Sequence, residues 1–511
     1  MRSLQNLTAH VKLSREPMST ELDELRRLLA QEQRLRAEEQ RLLAQEQRLL
    51  AQEQRLRAEE QRLLAEEQRL RAEDRERTLK TSLPTFLDGL HTHLFLGLGV
   101  QQDKTKSTCG DPVNATNKLR PRKLKAWGSF AKEQVDIWRL LMDSSLVEDR
   151  LFTSLHTLEE TGESIRRQLV GSELDLHHFL RQTIEDHVSK IIEELYNDPT
   201  LRQVFGLRGS IRFENHSNTL SPERGLEEGM QNIDIRGRRR SPRLAAREQS
   251  ASSNTATRDP RAPPPARSSR PRADQFCVYN IPSQSSESVH RIAAYIKEYK
   301  SPHKVKLGHI YEGLEDMDID KVVEQEKNET LKVRFHRAIA GLLVQPYDYM
   351  IRAGTEMGVL STGEADIYLR IGEDPGTLLY HLSVPKGDVG DYTGWDPHSS
   401  GPNRLHLTAV GQSLAFTLQA LKLRPRNQAW RQQAINSLPR WKVVVADILG
   451  SIPDAETHKV IQTTTNLTPT RRVAIRAFIA TSNGGIHRRP IQRIRQLRKD
   501  HQQKTTGATA R

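Results

Sequence analysis

The sequence predicts an α/β fold: a mixed sheet flanked by helices, preceded by a helical region and a long N-terminal repeat helix. Three observations carry this. Between Arg272 and Lys300, the alternating run Phe276–Asn280, a Pro/Ser-rich turn and a second apolar run, Ile292–Ile296, read as a β-hairpin. Two more strands are expected at Ala365–Ile371 and Leu378–Val384, joined by Gly372-Glu373-Asp374-Pro375-Gly376. Around them lie amphipathic segments of helical period, Leu331–Ala353, Leu405–Leu421 and Ala429–Ile452, suited to cover a sheet.

Residues 1–18 show no periodicity and are expected to be disordered. A helix start follows at Ser19-Thr20-Glu21-Leu22-Asp23, with Thr20 as N-cap. Residues 19–80 then repeat every seven residues, from RLLAQEQ at Arg27 to RLRAEDR ending at Arg75, in strong helix formers without Gly or Pro. Each repeat brings one invariant Leu, Leu28 through Leu70, but Gln31 or Glu32 stands where a coiled coil wants its second apolar residue. The i,i+4 pairs Glu32–Arg36, Glu53–Arg57 and Glu67–Arg71 support a solvated helix, with weak self-association expected through residues 20–75.

Residues 83–221 continue as a helical region with breaks. Pro84 opens a helix through Phe86, Leu90 and Leu94, and Trp127, Phe130, Ile137, Trp138 and Leu141 form a second stripe. His91, His93, His177 and His178 lack a partner at ligand spacing and read as ordinary core or surface histidines. A helix over Asp175–Asn197 ends before Pro199, and a strand is expected at Ser210–Glu214.

Composition narrows the classes. An apolar fraction of 36% and a mean hydropathy of −0.67 over 511 residues are too polar for one compact body. Two distant cysteines, Cys109 and Cys277, give no disulfide framework and suggest a reducing compartment. No apolar run reaches membrane length, so an intracellular protein is expected. The net charge of +13 is uneven: Arg236–Arg272 carries +9 and Arg471–Arg511 carries +10, leaving about −6 for the rest. The first lies in a Pro/Arg-rich linker over 222–271, the second in a basic tail over 454–511. Both read as arms for nucleic acid; the RGRRRSPRL run reads as a nuclear localisation signal or a phosphate-binding arm. A Gly-rich phosphate loop and the HRD and DFG segments of a kinase are absent from the sequence.

The hairpin carries the chemistry. Glu298 and Lys300 are two apart and share a strand face; a turn centred on Ser286 places Asp274 opposite Glu298. Two adjacent carboxylates repel and favour a divalent cation; hard oxygen ligands suit Mg²⁺, or Mn²⁺. A neighbouring ammonium can orient a water and balance charge on a phosphate. Glu298-x-Lys300 is the only acidic-x-Lys in the chain.

Asp274…Glu298-Tyr299-Lys300 resembles the PD-(D/E)XK nuclease motif, with Ala273 where the motif has Pro. More distantly, the chain resembles fungal proteins of uncharacterised function that join this motif to an N-terminal helical region. The resemblance implies a restriction-endonuclease-like domain over 272–453, with its first helix in the 83–221 region and the linker inserted between. In this fold an acid on the helix before the hairpin helps bind metal or activate water, which points to Glu185, with Glu193 second. Gln345 and Tyr349 match the Q-x-x-x-Y of RecB-like members, which contacts the catalytic lysine and nucleic acid; Pro346 between them is expected to kink the helix. Asp274 and Glu298 are then the metal ligands, with Lys300, Glu185, Gln345 and Tyr349 as catalytic residues. An alternative metal site lies around Asp366. Two functions follow: an Mg²⁺-dependent nuclease on DNA or RNA, or a catalytically inactive nuclease-like interaction protein with a self-associating helix and basic arms.

Overall fold

The computed structural model describes residues 16–108, 115–215, 220, 273–283, 289–324, 329–399, 401–443, 448–449 and 452. The linker, the basic tail, the hairpin turn at 284–288 and Cys109 lie outside the described residues, as does the 1–18 segment except its last three residues. The chain divides after Thr78 into two units.

The first unit is a single helix, Glu16–Thr78, which starts four residues before the expected cap at Thr20. Three expected ion pairs form, Glu32–Arg36 at 2.6 Å, Glu53–Arg57 and Glu67–Arg71 each at 2.5 Å. The repeat leucines stay in solvent, with Leu28 59% and Leu35 60% exposed. A second set, Leu29, Leu43, Leu50 and Leu64, is exposed beside them.

The second unit, from Leu79 on, is built on a mixed sheet of eight strands. In chain order, β1 (Gly99–Val100) and β3 (Leu169–Val170) form a separate parallel pair. The large sheet takes β2 (Lys123–Ala126), β4 (Ser210–Glu214), β5 (Gln275–Pro282), β6 (Val289–Tyr299), β7 (Met317–Asp318), β8 (Met357–Ser361), β9 (Asp366–Ile371) and β10 (Thr377–Ser383). Their spatial order is β4-β5-β6-β8-β9-β10-β2-β7. β6–β8 and β10–β2 are parallel, and the other pairs are antiparallel.

The parallel β6–β8 pair requires a crossover, and the helix Leu331–Ala353 lies within it. Thr330 caps that helix by accepting from the Val333 N–H, and Gly354, at φ +71°, closes it in the left-handed conformation. Contrary to the expected kink, the helix runs unbroken through Pro346. The segment expected as one helix over 175–197 has three parts: Glu173–Leu180, a π-helical turn Arg181–Glu185, and Asp186–Asn197. The last expected helix is shorter too, Gln428–Ser437, since Pro439 follows it and Arg440 bridges to Leu119.

The sheet separates two cores by strand alternation. Phe276, Val278, Ile296, Leu360 and Leu369 pack with Leu342, Leu343 and Tyr347 of the Leu331–Ala353 helix. Cys277, Tyr279, Tyr295, Tyr299 and Tyr368 face the other way, towards Phe86, Ile184, Val188 and Phe416. One bulge interrupts the β5–β6 ladder. Cys277 pairs with Tyr295 while Val278 pairs with Ala293, so Ala294 has no opposite residue.

Candidate active site

At the open end of the hairpin, Gln275 pairs with Lys297, the register that carries Asp274 towards Glu298. β6 ends at Tyr299, and the Lys300 N–H continues the parallel ladder by donating to the Ser361 carbonyl at 2.9 Å. Asp274 precedes β5, and its Oδ2 accepts the Tyr299 backbone N–H at 2.9 Å. Glu298 and Lys300 point to the face covered by the Leu331–Ala353 helix. Lys300 Nζ donates to Glu298 Oε1 at 2.7 Å and to Gln345 Oε1 at 3.3 Å. Gln345 Nε2 donates to the Tyr349 hydroxyl at 3.4 Å, so the expected Gln–Tyr pair shares one helix face.

The centre of this cluster is buried, with Glu298 fully covered and Lys300 2% exposed, while Asp274 beside it is half-buried. Burial pushes the Glu298 carboxyl up to about 7; the Lys300 charge opposes the rise and Asp274 adds to it. Burial works against the Lys300 ammonium, but the charges of Glu298, Asp274 and Glu173 outweigh it and hold its pKa above the usual lysine value. Glu298 Oε2 is buried and has no hydrogen-bond partner among the described residues. Such an orphan costs about 1–3 kcal/mol, more for a charged group, unless something fills the place.

Two residues that the sequence did not single out join this site. Glu173, half-buried at the start of the Glu173–Leu180 helix, has its carboxyl raised by burial while interacting with Lys300 and Asp274. Lys118 donates to the Tyr349 hydroxyl at 2.8 Å.

Glu185 is held on the opposite face. Its Oε1 accepts from Lys297 Nζ at 2.8 Å and from the Tyr299 hydroxyl at 2.5 Å; its Oε2 accepts from Gln275 Nε2 at 3.4 Å. Lys297 and Tyr299 alternate with Glu298 and Lys300, so the sheet stands between Glu185 and the Glu298–Lys300 pair. Glu193 is exposed and paired with Lys190 at 3.2 Å. Asp366 is buried on the Glu185 side, its carboxyl raised by burial and opposed by the Lys297 charge.

Among the described residues, no three His, Cys, Asp or Glu side chains group closely enough to cage a metal ion. The hairpin end offers two carboxylates, one with a buried oxygen lacking a partner. That is a donor set for Mg²⁺, which keeps several of its waters and takes one or two carboxylates. No helix among the described residues is long and apolar enough to cross a membrane.

Fold and site together define an α/β protein with a buried carboxylate–lysine cluster at the end of a central strand. Residues 82–437 match the family described as the Spore killer 2 N-terminal domain, and the chain belongs to that family. It is similar to the meiotic driver SPOK2 of the fungus Podospora anserina, with 24% identity over 426 residues. That match covers 78% of this chain and 52% of the relative, so the chain spans about half of the relative's length. No solved structure matches it. The family match contains every residue of the cluster and leaves the repeat helix outside.

Proposed function

We propose that this chain is an Mg²⁺-dependent nuclease of the PD-(D/E)XK type, hydrolysing phosphodiester bonds of DNA or RNA; Mn²⁺ would serve in place of Mg²⁺. One observation carries the reading. Lys300 is hydrogen-bonded to both Glu298 and Gln345, while the second oxygen of Glu298 is buried without a partner.

Asp274 and Glu298 would hold the ion, which when bound supplies positive charge against the phosphate and acidifies a water. Lys300 stays protonated beside them and donates to the attacking water or to a phosphate oxygen. Gln345 orients the ammonium through its amide oxygen, and Tyr349 fixes that amide by accepting from its nitrogen. Glu173 is the third acid we assign to the site, because its charge interacts with both Lys300 and Asp274. Glu185 has a structural role: it closes the buried network with Lys297 and Tyr299. Nucleic acid would be gathered by the arms at Arg236–Arg272 and Arg471–Arg511, whose net charges are +9 and +10.

The test is purified full-length protein with labelled single- and double-stranded DNA and RNA, in Mg²⁺, Mn²⁺ or EDTA. Metal-dependent cleavage is expected, lost in Lys300→Ala and Asp274→Ala. Metal should also raise the melting temperature of wild type and Lys300→Ala but not of Asp274→Ala. Wild type with neither cleavage nor a metal-induced shift refutes the reading.

A further inference from the structure

Lys118 lies outside every motif in the chain, yet its ammonium reaches the site. The turn that carries it is fixed from several sides. Asn117 has φ +62°, the only positive φ among the described non-glycine residues. A short polar side chain tolerates that conformation better than most. The Lys118 N–H donates to the Ala115 carbonyl at 3.0 Å, closing the turn. Asn117 N–H donates to the Trp441 carbonyl at 2.8 Å, and Trp441 N–H donates to the Lys118 carbonyl at 2.9 Å. Leu119 N–H donates to Asp348 Oδ1 at 3.0 Å, on the same helix as Gln345 and Tyr349. A backbone tied at three successive residues places one cation.

What that cation meets is informative. Its only hydrogen-bond acceptor is the neutral Tyr349 hydroxyl, and it forms no ion pair among the described residues. It is half-buried and feels the charges of Glu298, Asp348, Lys300 and Asp274. The ammonium also lies 4.3 Å from the Tyr349 ring centroid, and of its three donors one is used in a hydrogen bond. The Tyr349 hydroxyl accepts from both Lys118 and Gln345, which leaves its own proton to donate. A cation kept beside a reaction centre with two donors unspent suits an anion that arrives with the substrate.

We propose that Lys118 is a phosphate-binding residue, contacting a backbone phosphate of the nucleic acid that occupies the Asp274–Glu298–Lys300 site. This rests on the nuclease reading for its substrate class, and it gives the site a contact that the E-x-K and Q-x-x-x-Y motifs do not contain. A phosphate oxygen would take the free N–H groups, and the Tyr349 link would carry the register of the bound strand to Gln345 and Lys300.

The experiment is equilibrium binding of a labelled duplex to the full chain in EDTA across a salt series, so that no cleavage intervenes. One phosphate neutralised contributes about −0.9 to the slope of log K against log salt. Lys118→Met should make the slope shallower by about that amount, while Lys118→Arg keeps the wild-type slope. Lys118→Gln serves as a second neutral variant if the Met variant melts well below wild type. A lysine that only supported the fold would leave the slope of a folded variant where it was. Equal slopes in wild type and folded neutral variants overturn the proposal, even if wild type cleaves in Mg²⁺. A Lys118-dependent slope in a protein that cleaves nothing upholds the phosphate contact and removes the nuclease reading.

Discussion

Replacing Lys297 by Met strips the buried cation from Glu185. Lys297 is 4% exposed and Glu185 fully buried, 2.8 Å apart, so no water takes the ammonium's place. Breaking a buried pair by removing one partner costs roughly 3–5 kcal/mol. Lys297→Met should therefore lose about 3–5 kcal/mol at pH 7. With a urea dependence of about 3 kcal/mol per molar, the unfolding midpoint at pH 7 falls by about 1 M. Replacing both partners, Glu185→Leu with Lys297→Met, should recover most of that loss, because no charge is left buried. Urea unfolding by tryptophan fluorescence at pH 7 measures this. A loss below about 1 kcal/mol at pH 7, or a double variant as unstable as the single, would show that the Glu185 network does not hold the sheet as described.

Other perturbations separate the rest of the site. Glu298 has its folded-state pKa raised from 4.5 to about 7, so its contribution to stability is full below the unfolded value and is lost as pH rises through 7. The melting temperature in EDTA, wild type minus Glu298→Gln, should fall between pH 5 and pH 8, and the Mg²⁺-induced increase should grow over the same range; a difference that rises with pH sinks this. Asn117→Val, forced into a left-handed conformation, should cost about 1–3 kcal/mol while Asn117→Gly stays near wild type, both by thermal melting. Equal melting of the two would mean the turn is not held at that φ. Neutralising the eleven arginines between Arg236 and Arg272 should flatten the salt dependence of duplex binding by several units. An unchanged slope would place the contacts on the folded surface.

The parts of the fold that were legible are those whose signal is local. β4, β9 and β10 lie within one or two residues of the runs that announced them, because their apolar residues alternate along the sequence. β8 was missed: Met357–Ser361 is buried throughout and shows no alternation, as expected of a strand covered on both faces. Pro346 misled because the missing N–H costs one hydrogen bond, whereas Ile339, Leu342, Leu343, Tyr347 and Met350 are buried around it. At the site, Glu298 and Lys300 follow from strand period alone. Gln345 and Tyr349 follow from helix period, but their meeting with Lys300 does not. Glu173 and Lys118 have no local mark, since what distinguishes them is the tertiary neighbourhood. Glu185 was singled out as the acid on the helix before the hairpin, but it stands beside the buried Ile184 and Val188, and that is why it is walled into the interior.

The unpaired Ala294 sets the phase of everything downstream on β6. Counting from Ile292, strict alternation would put Tyr295 with the Leu331–Ala353 helix and send Glu298 and Lys300 towards Glu185. The extra residue exchanges the two sets, so Tyr295 meets Phe416 while Glu298 and Lys300 meet Gln345. Excising Ala294 would therefore remove the bulge and leave both faces as they are, with Val278–Ala293 followed directly by Cys277–Tyr295; drawing Ala294 into the ladder opposite Cys277 would instead turn the strand over, driving Lys297 into the carboxylate site and the E-x-K side chains into the wrong core. The bulge, built on an alanine with no chemistry of its own, thus acts as the parity bit of the site, and a search for the motif by letters alone passes over the irregularity that decides which way the motif looks.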